Sequence, residues 1–184
     1  MYFKIDKNLI LQGDLFQNFN YIRWVEEVEG EIKTDEVVIP YFFVLTQICD
    51  LKQDSKDRTK SDTEKRDKYL HSVLVCPAYS AESFRKGEHL KDGRFIMEKY
   101  TSEQWSNVQK NQNPRLHFIN KNEVFGIPNL VIDFKHYYTL PTSIIYRDYK
   151  FHYLASLKDL FKEDLSHRFA FYLSRIGLPE IKQF

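Results

Sequence analysis

Cysteine is scarce in this sequence, with only Cys49 and Cys76, far apart. Neither belongs to a C-x-x-C pair, and no histidine stands at zinc-ligand spacing from them, so no structural zinc site is expected. Both lie in apolar runs and read as small buried hydrophobes; a disulfide between them is allowed but not implied. Six glycines are too few for a phosphate-cradling loop, and G-x-x-x-x-G-K-[ST] is absent. The six histidines are scattered, without H-E-x-x-H or a pair at helical metal spacing, and there is no G-x-S-x-G elbow. No metal and no cofactor are therefore expected. Charge of one sign is also missing: 27 basic residues meet 26 acidic ones, a net charge of +1. Any nucleic-acid site must then be a local patch. The opening "MYFKIDKNLILQGD" lacks the basic region and long apolar core of a signal peptide. No apolar run approaches the roughly 20 residues that span a bilayer. The expectation is a soluble cytoplasmic protein with no membrane partner.

Aromatic residues are abundant, with 15 Phe and 12 Tyr among 184 residues. Wide rings suit pleated surfaces, so packed β-structure is expected. One domain is the natural reading of this length, burying roughly 70% of the surface its unfolded chain exposes.

Along the chain, Leu9–Leu11 is a short apolar run, broken by Gly13 and Asp14 and resumed at Leu15 and Phe16. Tyr21–Val28 and Ile32–Ile39 read as a hairpin through the "EGE" turn, and Pro40 marks a strand start or edge. Tyr41–Cys49 is apolar almost throughout, as in a strand covered on both faces. Lys52–Lys68 then carries no apolar residue, with seven basic and five acidic side chains. It reads as a solvated loop or exposed helical turn, or as an arm that touches phosphates. Ser72–Pro77 is a second buried strand, and a short helix opens at Ala81 and ends at Gly87. Phe95–Lys110 is a helical candidate. Leu116–Ile119, Leu130–Phe134, Tyr137–Leu140 and Ser143–Ile145 read as strands. The clearest helix is expected over 156–177, capped by Ser156 with Asp159 three residues on. Its apolar stripe runs from Leu157 to Ile176, with Gly177 and Pro179 as the stop. Arg168, Tyr172 and Arg175 form a polar stripe that solvates the helix, clamps an acidic neighbour, or contacts RNA or a partner.

This order resembles a known family. "GDLF" (Gly13–Phe16) opens the first strand, a meander leads to "FFVLTQ" (Phe42–Gln47), and "SVLVCPAYS" (Ser72–Ser80) follows a charged excursion. The layout is similar to the MazF/PemK toxin superfamily of small SH3-like β-barrels, over roughly Leu9–Ser80. The ending "LSHRFAFYLSRIGLP" (Leu165–Pro179) is similar to the tail of uncharacterised prokaryotic proteins that share the "TQ-x-CD" element. The resemblance implies an α+β fold: a small SH3-like β-barrel core over about 9–83 and 115–153, with insertions, the charged loop 52–68 and a packed C-terminal helix. It also implies a toxin-antitoxin or phage-defence setting.

Members of that superfamily cut single-stranded RNA without metal, using an Arg before the central strand and a Thr or Ser at the end of the next. That chemistry needs an acceptor to activate the ribose 2′-OH and a cation to hold the phosphate. Here the first position reads Val38, Ile39, Pro40, Tyr41, without an Arg, and the second reads Ala78, Tyr79, Ser80. In such a barrel Asp14, Thr46–Asp50 and Tyr79–Ser80 converge at one rim. The candidate catalytic set is Asp50 as base, Gln47 as reader of a base edge, Lys52 as phosphate cation, and Ser80. Asp14, Thr46, Tyr79, Arg168 and Arg175 are candidate binding residues. Each has a structural alternative: Thr46 in a strand, Gln47 on backbone, Asp50 capping a turn. Three functions stay open. One is a barrel that binds nucleic acid or a protein partner, including a second copy. Another is a metal-independent endoribonuclease. The third is a scaffold subunit of a larger enzyme.

Overall fold

The computed structural model describes residues 1–4, 9–59 and 67–175. Strand β1 is Tyr2–Phe3, β2 is Asp14–Val28 and β3 is Glu31–Val44. Helix α1 (Ile48–Arg58) precedes β4 (Ser72–Ser80), α2 (Ala81–Arg85) and α3 (Ser102–Gln109). Strands β5 (Leu116–Ile119), β6 (Leu130–Asp133) and β7 (Tyr138–Pro141) follow. The chain continues through α4 (Thr142–His152), β8 (Tyr153–Leu157) and α5 (Asp159–Leu173). The fold is α+β. Among the described residues eight strands make one antiparallel sheet, in the order β1-β8-β2-β3-β4-β6-β5 with β7 also on β4, curled into a half-barrel, with α5 near the C-terminus. Strand β4 has a forked edge: β7 pairs with Ser72–Val75 and β6 with Ala78–Ser80.

The alternation of side chains along the central strands explains their apolar runs. Leu15, Phe43, Leu45, Cys76 and Ala78 face a core completed by Leu165 and Phe169 of α5. Phe16, Phe42, Val44, Val73 and Val75 face the other way, onto Leu51 of α1 and Ile145 and Tyr149 of α4. Phe16 and Phe42 stack with ring centres 5.0 Å apart, and Tyr149 meets Phe16 edge-on. A sheet covered on both faces has no polar side to show, hence runs such as "YFFVL". A third cluster joins Tyr79, Phe84, Trp105, Val108 and Phe118, where α2 and α3 pack beside β5 and β6.

Several segments differ from the sequence reading. The hairpin is continuous with the flanking apolar runs, so Pro40 lies inside β3, opposite Asn18, whose φ of 51° interrupts the ladder. Cys49 is in α1, not at a strand end. The charged segment is helical as far as Arg58, the second of the two readings, and part of its charge is satisfied internally rather than by solvent. Buried Asp54 accepts from Arg58 Nε at 2.7 Å and from Leu70 N at 2.7 Å. Arg58 also donates to Leu70 O, and its guanidinium lies 3.9 Å from the Tyr69 ring centre. Residues 60–66 of that segment lie outside the described residues. Ser143–Ile145 is the first turn of α4; three apolar residues are too few to separate a strand from a helix. Only Ser102–Gln109 of the candidate 95–110 is helical, started by a Thr101–Gln104 capping box. Helix α5 begins at Asp159, and Ser156 belongs to β8 rather than to a cap. The expected stop at Gly177 and Pro179 lies outside the described residues.

Ser156 has a different task. Its hydroxyl donates to buried Asp14 Oδ1 at 2.6 Å, and Asp14 Oδ2 accepts from Leu11 N at 2.8 Å. Beside it, Gly13 N bonds Val44 O, and Leu157 N bonds Gly13 O. Gly13 has φ of +82°, and a Cβ there would come 2.9 Å from Lys162 Cβ. Asp14→Ala removes a charged acceptor from two donors and is expected to lower unfolding free energy by about 2–3 kcal/mol. Gly13→Ala is expected to be similarly damaging. Urea titration followed by circular dichroism reads both, and a midpoint within error of the parent would refute the assignment.

Candidate functional site

The "TQ-x-CD" corner forms where β3 hands over to α1. Thr46 Oγ1 accepts from Leu74 N at 2.7 Å, so its side chain extends the β3–β4 ladder. Gln47 is the N-cap of α1, with an exposed side chain that makes no cap bond. Asp50 lies in the first turn, where the helix dipole favours an anion, and Lys52 is exposed beyond it. The structure places Asp14, Thr46, Gln47, Asp50 and Lys52 at one end of the sheet.

It does not bring Tyr79 and Ser80 there. Strands β3 and β4 are antiparallel, with Val44 opposite Val75 and Tyr41 opposite Ala78. Their C-terminal ends therefore point to opposite edges, and Ser80 lies roughly 20 Å along β4 from Leu74 at about 3.3 Å per residue. The shared rim is not formed. Ser80 Oγ instead caps α2, accepting from Ser83 N at 3.2 Å. Arg168 is not a free cation: its guanidinium donates to the carbonyls of Asn113 and Leu116 at 3.0 and 2.9 Å, anchoring the start of β5. Arg175 is exposed, 4.7 Å from the Tyr172 ring centre.

Around Tyr79 the structure builds a cleft that has no motif in the sequence. A cavity of about 580 Å³ lies between the β2–β3 hairpin, β4 and the segments 89–97 and 135–138. Its walls include Tyr21, Tyr79, Phe95 and Tyr138, with His89 and His136 among them. Tyr21 and Tyr138 have ring centres 4.8 Å apart. His89 stacks on Phe84 at 4.1 Å and lies 4.9 Å from Tyr79. Arg23 and Lys135 supply positive charge to the lining. Arg23 also donates to Gly93 O at 3.2 Å, tying the 89–97 segment to the hairpin.

An ion pair lies behind this wall. Buried Asp133 accepts from Arg115 Nε at 2.7 Å and Nη2 at 2.5 Å, and from Lys135 N at 3.0 Å. Its Oδ2 is 3.6 Å from His136 Nε2. Burial lowers the His89 pKa to about 4, against the opposing pull of the Asp133 carboxylate. Burial also lowers that of His136, again opposed by Asp133. The Tyr79 and Tyr138 hydroxyls are pushed up by burial. At neutral pH both imidazoles are uncharged and both phenols keep their protons. Neither His89 nitrogen, His136 Nε2 nor Tyr138 Oη has a hydrogen-bond partner among the described residues, although all are shielded from solvent. Unmade hydrogen bonds beside an aromatic cavity are a common mark of a functional site. The arrangement can stack a flat ring and hold an anion at Lys135.

Of these residues only Tyr79 was legible from the sequence. The one available signal was local density: "DFKHYY" puts Asp133, Lys135, His136, Tyr137 and Tyr138 within six positions, but at no spacing that names a chemistry. No family model, no curated protein and no solved structure matches the chain. Among the described residues, no helix is long and apolar enough to cross a membrane.

His89 gives a test. The unfolded chain takes up a proton near pH 6.5 that the folded site resists until about pH 4. Stability is therefore retained above pH 6.5 and falls as pH drops through that window. His89→Phe keeps the ring and removes both shielded nitrogens. It is expected to raise stability at pH 7 by about 1 kcal/mol. Its advantage in melting temperature over the parent is expected to widen between pH 6.5 and 4.5; a constant or shrinking gap contradicts the assignment.

Proposed function

We propose that the chain is a MazF/PemK-like, SH3-type β-barrel protein that binds single-stranded RNA in the aromatic cleft, in a prokaryotic toxin or phage-defence setting. The observation that carries this reading is the cleft itself: aromatic walls, two uncharged imidazoles with unmade hydrogen bonds, and a lysine at hand. The strand order Gly13–Phe16, Phe42–Gln47, Ser72–Ser80 supports it. So does the place of the two positions at which the toxins carry Arg and Thr. Val38, Ile39 and Pro40 from the first, and Tyr79 from the second, line the cleft. Base stacking on aromatic side chains contributes about 1–3 kcal/mol per base and tolerates any sequence. The neutral His89 and His136 suit the edge of a base, and Lys135 suits a phosphate.

Cleavage is the second reading, favoured by one of the same imidazoles. His136 is the candidate base for a ribose 2′-OH, since His89, lowered to about 4, is too weak a base, and Lys135 is the candidate replacement for the cation missing before the central strand. On this reading Gln47, Asp50 and Lys52 are remote from the reaction. The scaffold reading has no comparable feature in its support.

Fluorescence anisotropy with a labelled single-stranded RNA of mixed sequence tests both, in EDTA. Phe95→Ala and Lys135→Ala alter exposed cleft residues and are each expected to weaken binding by about 5- to 100-fold. The Asp50→Ala, Lys52→Ala double variant is expected to stay within about twofold of the parent. Cleavage that disappears in His136→Ala supports the second reading. Failure of the parent to bind RNA, or variants that bind as well as the parent, overturns both.

A further inference from the structure

Beyond the contacts of Arg23 with Gly93 and Phe95, the outer half of the β2–β3 hairpin is an open arm. Strand β2 pairs with β8 only over Asp14–Phe16, and β3 pairs with β4 only over Tyr41–Val44. From Phe19 to Ile39 the two strands pair, among the described residues, only with each other. A bulge at Arg23 shifts the register, and beyond it the ribbon runs to the Glu29–Gly30 turn, about 20 Å at 3.4 Å per residue. A two-stranded ribbon is marginal in water, and both edges of this one keep unpaired backbone donors and acceptors. It also carries apolar side chains in the open: Ile22 is 50% exposed, Val25 61% and Ile32 75%. Val25 is opposite Thr34 and Ile32 opposite Glu27, so the two lie diagonally on one face; Trp24 is on the other.

The charge of the arm selects what covers it. Residues 22–36 hold six acidic side chains (Glu26, Glu27, Glu29, Glu31, Asp35, Glu36) and two basic ones (Arg23, Lys33), a net charge of −4. The whole chain is +1, so the remainder is +5. Arg23 pairs with Asp35, and Lys33 is opposite Glu26. Glu27, Glu29, Glu31 and Glu36 have no basic residue opposite them in the ladder. Phosphate backbones are repelled by such a ribbon, and so is the same arm of a second copy.

We infer that the arm docks a partner protein through an extended segment in which Lys or Arg alternates with apolar side chains. Such a segment adds a strand to the open edge, sets its apolar side chains against Val25 and Ile32, and meets the glutamates with its charges. Val25 and Ile32 lie outside the cleft lining, which the arm enters only at Arg23, so this inference stands independently of RNA binding.

The probe is a ten-residue peptide of alternating lysine and valine, titrated into the full-length protein and followed by amide chemical shifts and calorimetry. Expected are shifts confined to residues 22–36, an affinity that weakens as salt is raised, and no binding of the glutamate–valine peptide. The Val25→Lys, Ile32→Lys double variant is expected to weaken peptide binding at least tenfold, with its melting temperature and RNA affinity unchanged. Equal binding of the two peptides, shifts outside the arm, or no binding overturns the proposal. So do RNA-induced shifts at Val25 and Ile32, or a dimer by sedimentation that the double variant dissociates, since these name another occupant.

Discussion

Asp14 holds together parts of the chain that are otherwise far apart. Its carboxylate, fully buried, takes a hydrogen bond from the backbone at Leu11 and another from Ser156 on the last strand. Gly13 next to it touches the end of β3 through Val44 and the start of α5 through the closeness of Lys162. A carboxyl group out of water is tolerated only where hydrogen-bond partners surround it, and those partners come from segments that must already be in place. The pair therefore ties β8 to β2 and brings the start of α5 against them. Side-chain alternation does the rest, filling both faces with the same strands.

The central strands were legible because burial on two faces leaves a long unbroken apolar signature. The hairpin turn was legible because Gly30 marks it. Charge misled where it was satisfied internally: Asp54 and Arg58 sit in a run with no apolar side chain, yet they bury each other between α1 and the start of β4. Composition records charge but not its partner, and Leu70, which completes that cluster, is separated from Asp54 by much of the charged run. Ser156 failed as a cap for a similar reason. Its acceptor is 142 positions away, and no local rule points to it.

The candidate site divides in the same way. Thr46, Gln47 and Asp50 stand out in sequence because polar residues interrupt an apolar strand, and each has a local task at the strand-to-helix junction. The cleft is assembled from β2, β3, β4, β7 and two loops, so its members are scattered between Asn18 and Tyr138. Its most informative feature, hydrogen-bonding atoms shielded and unmatched, belongs to three-dimensional packing alone. Antiparallel pairing also decides which strand ends meet. Neighbouring strands of this kind deliver their C-terminal ends to opposite edges, and this separates Ser80 from Asp50.

The neighbour of β2 on its outer side has a bearing on how the molecule is made. That strand is β8, Tyr153–Leu157, and it lies between β2 and β1 in the sheet. On a ribosome, the β2–β3 ribbon emerges long before its flanking strand exists. Its edge at Asp14–Phe16 stays open until residues 153–156 have been made, a template for pairing with other nascent chains. Closing so distant a contact is also slow, because the loop entropy of most of the polypeptide must be overcome first. A chain interrupted before residue 153 therefore lacks the strand that pairs with β2 at Asp14–Phe16.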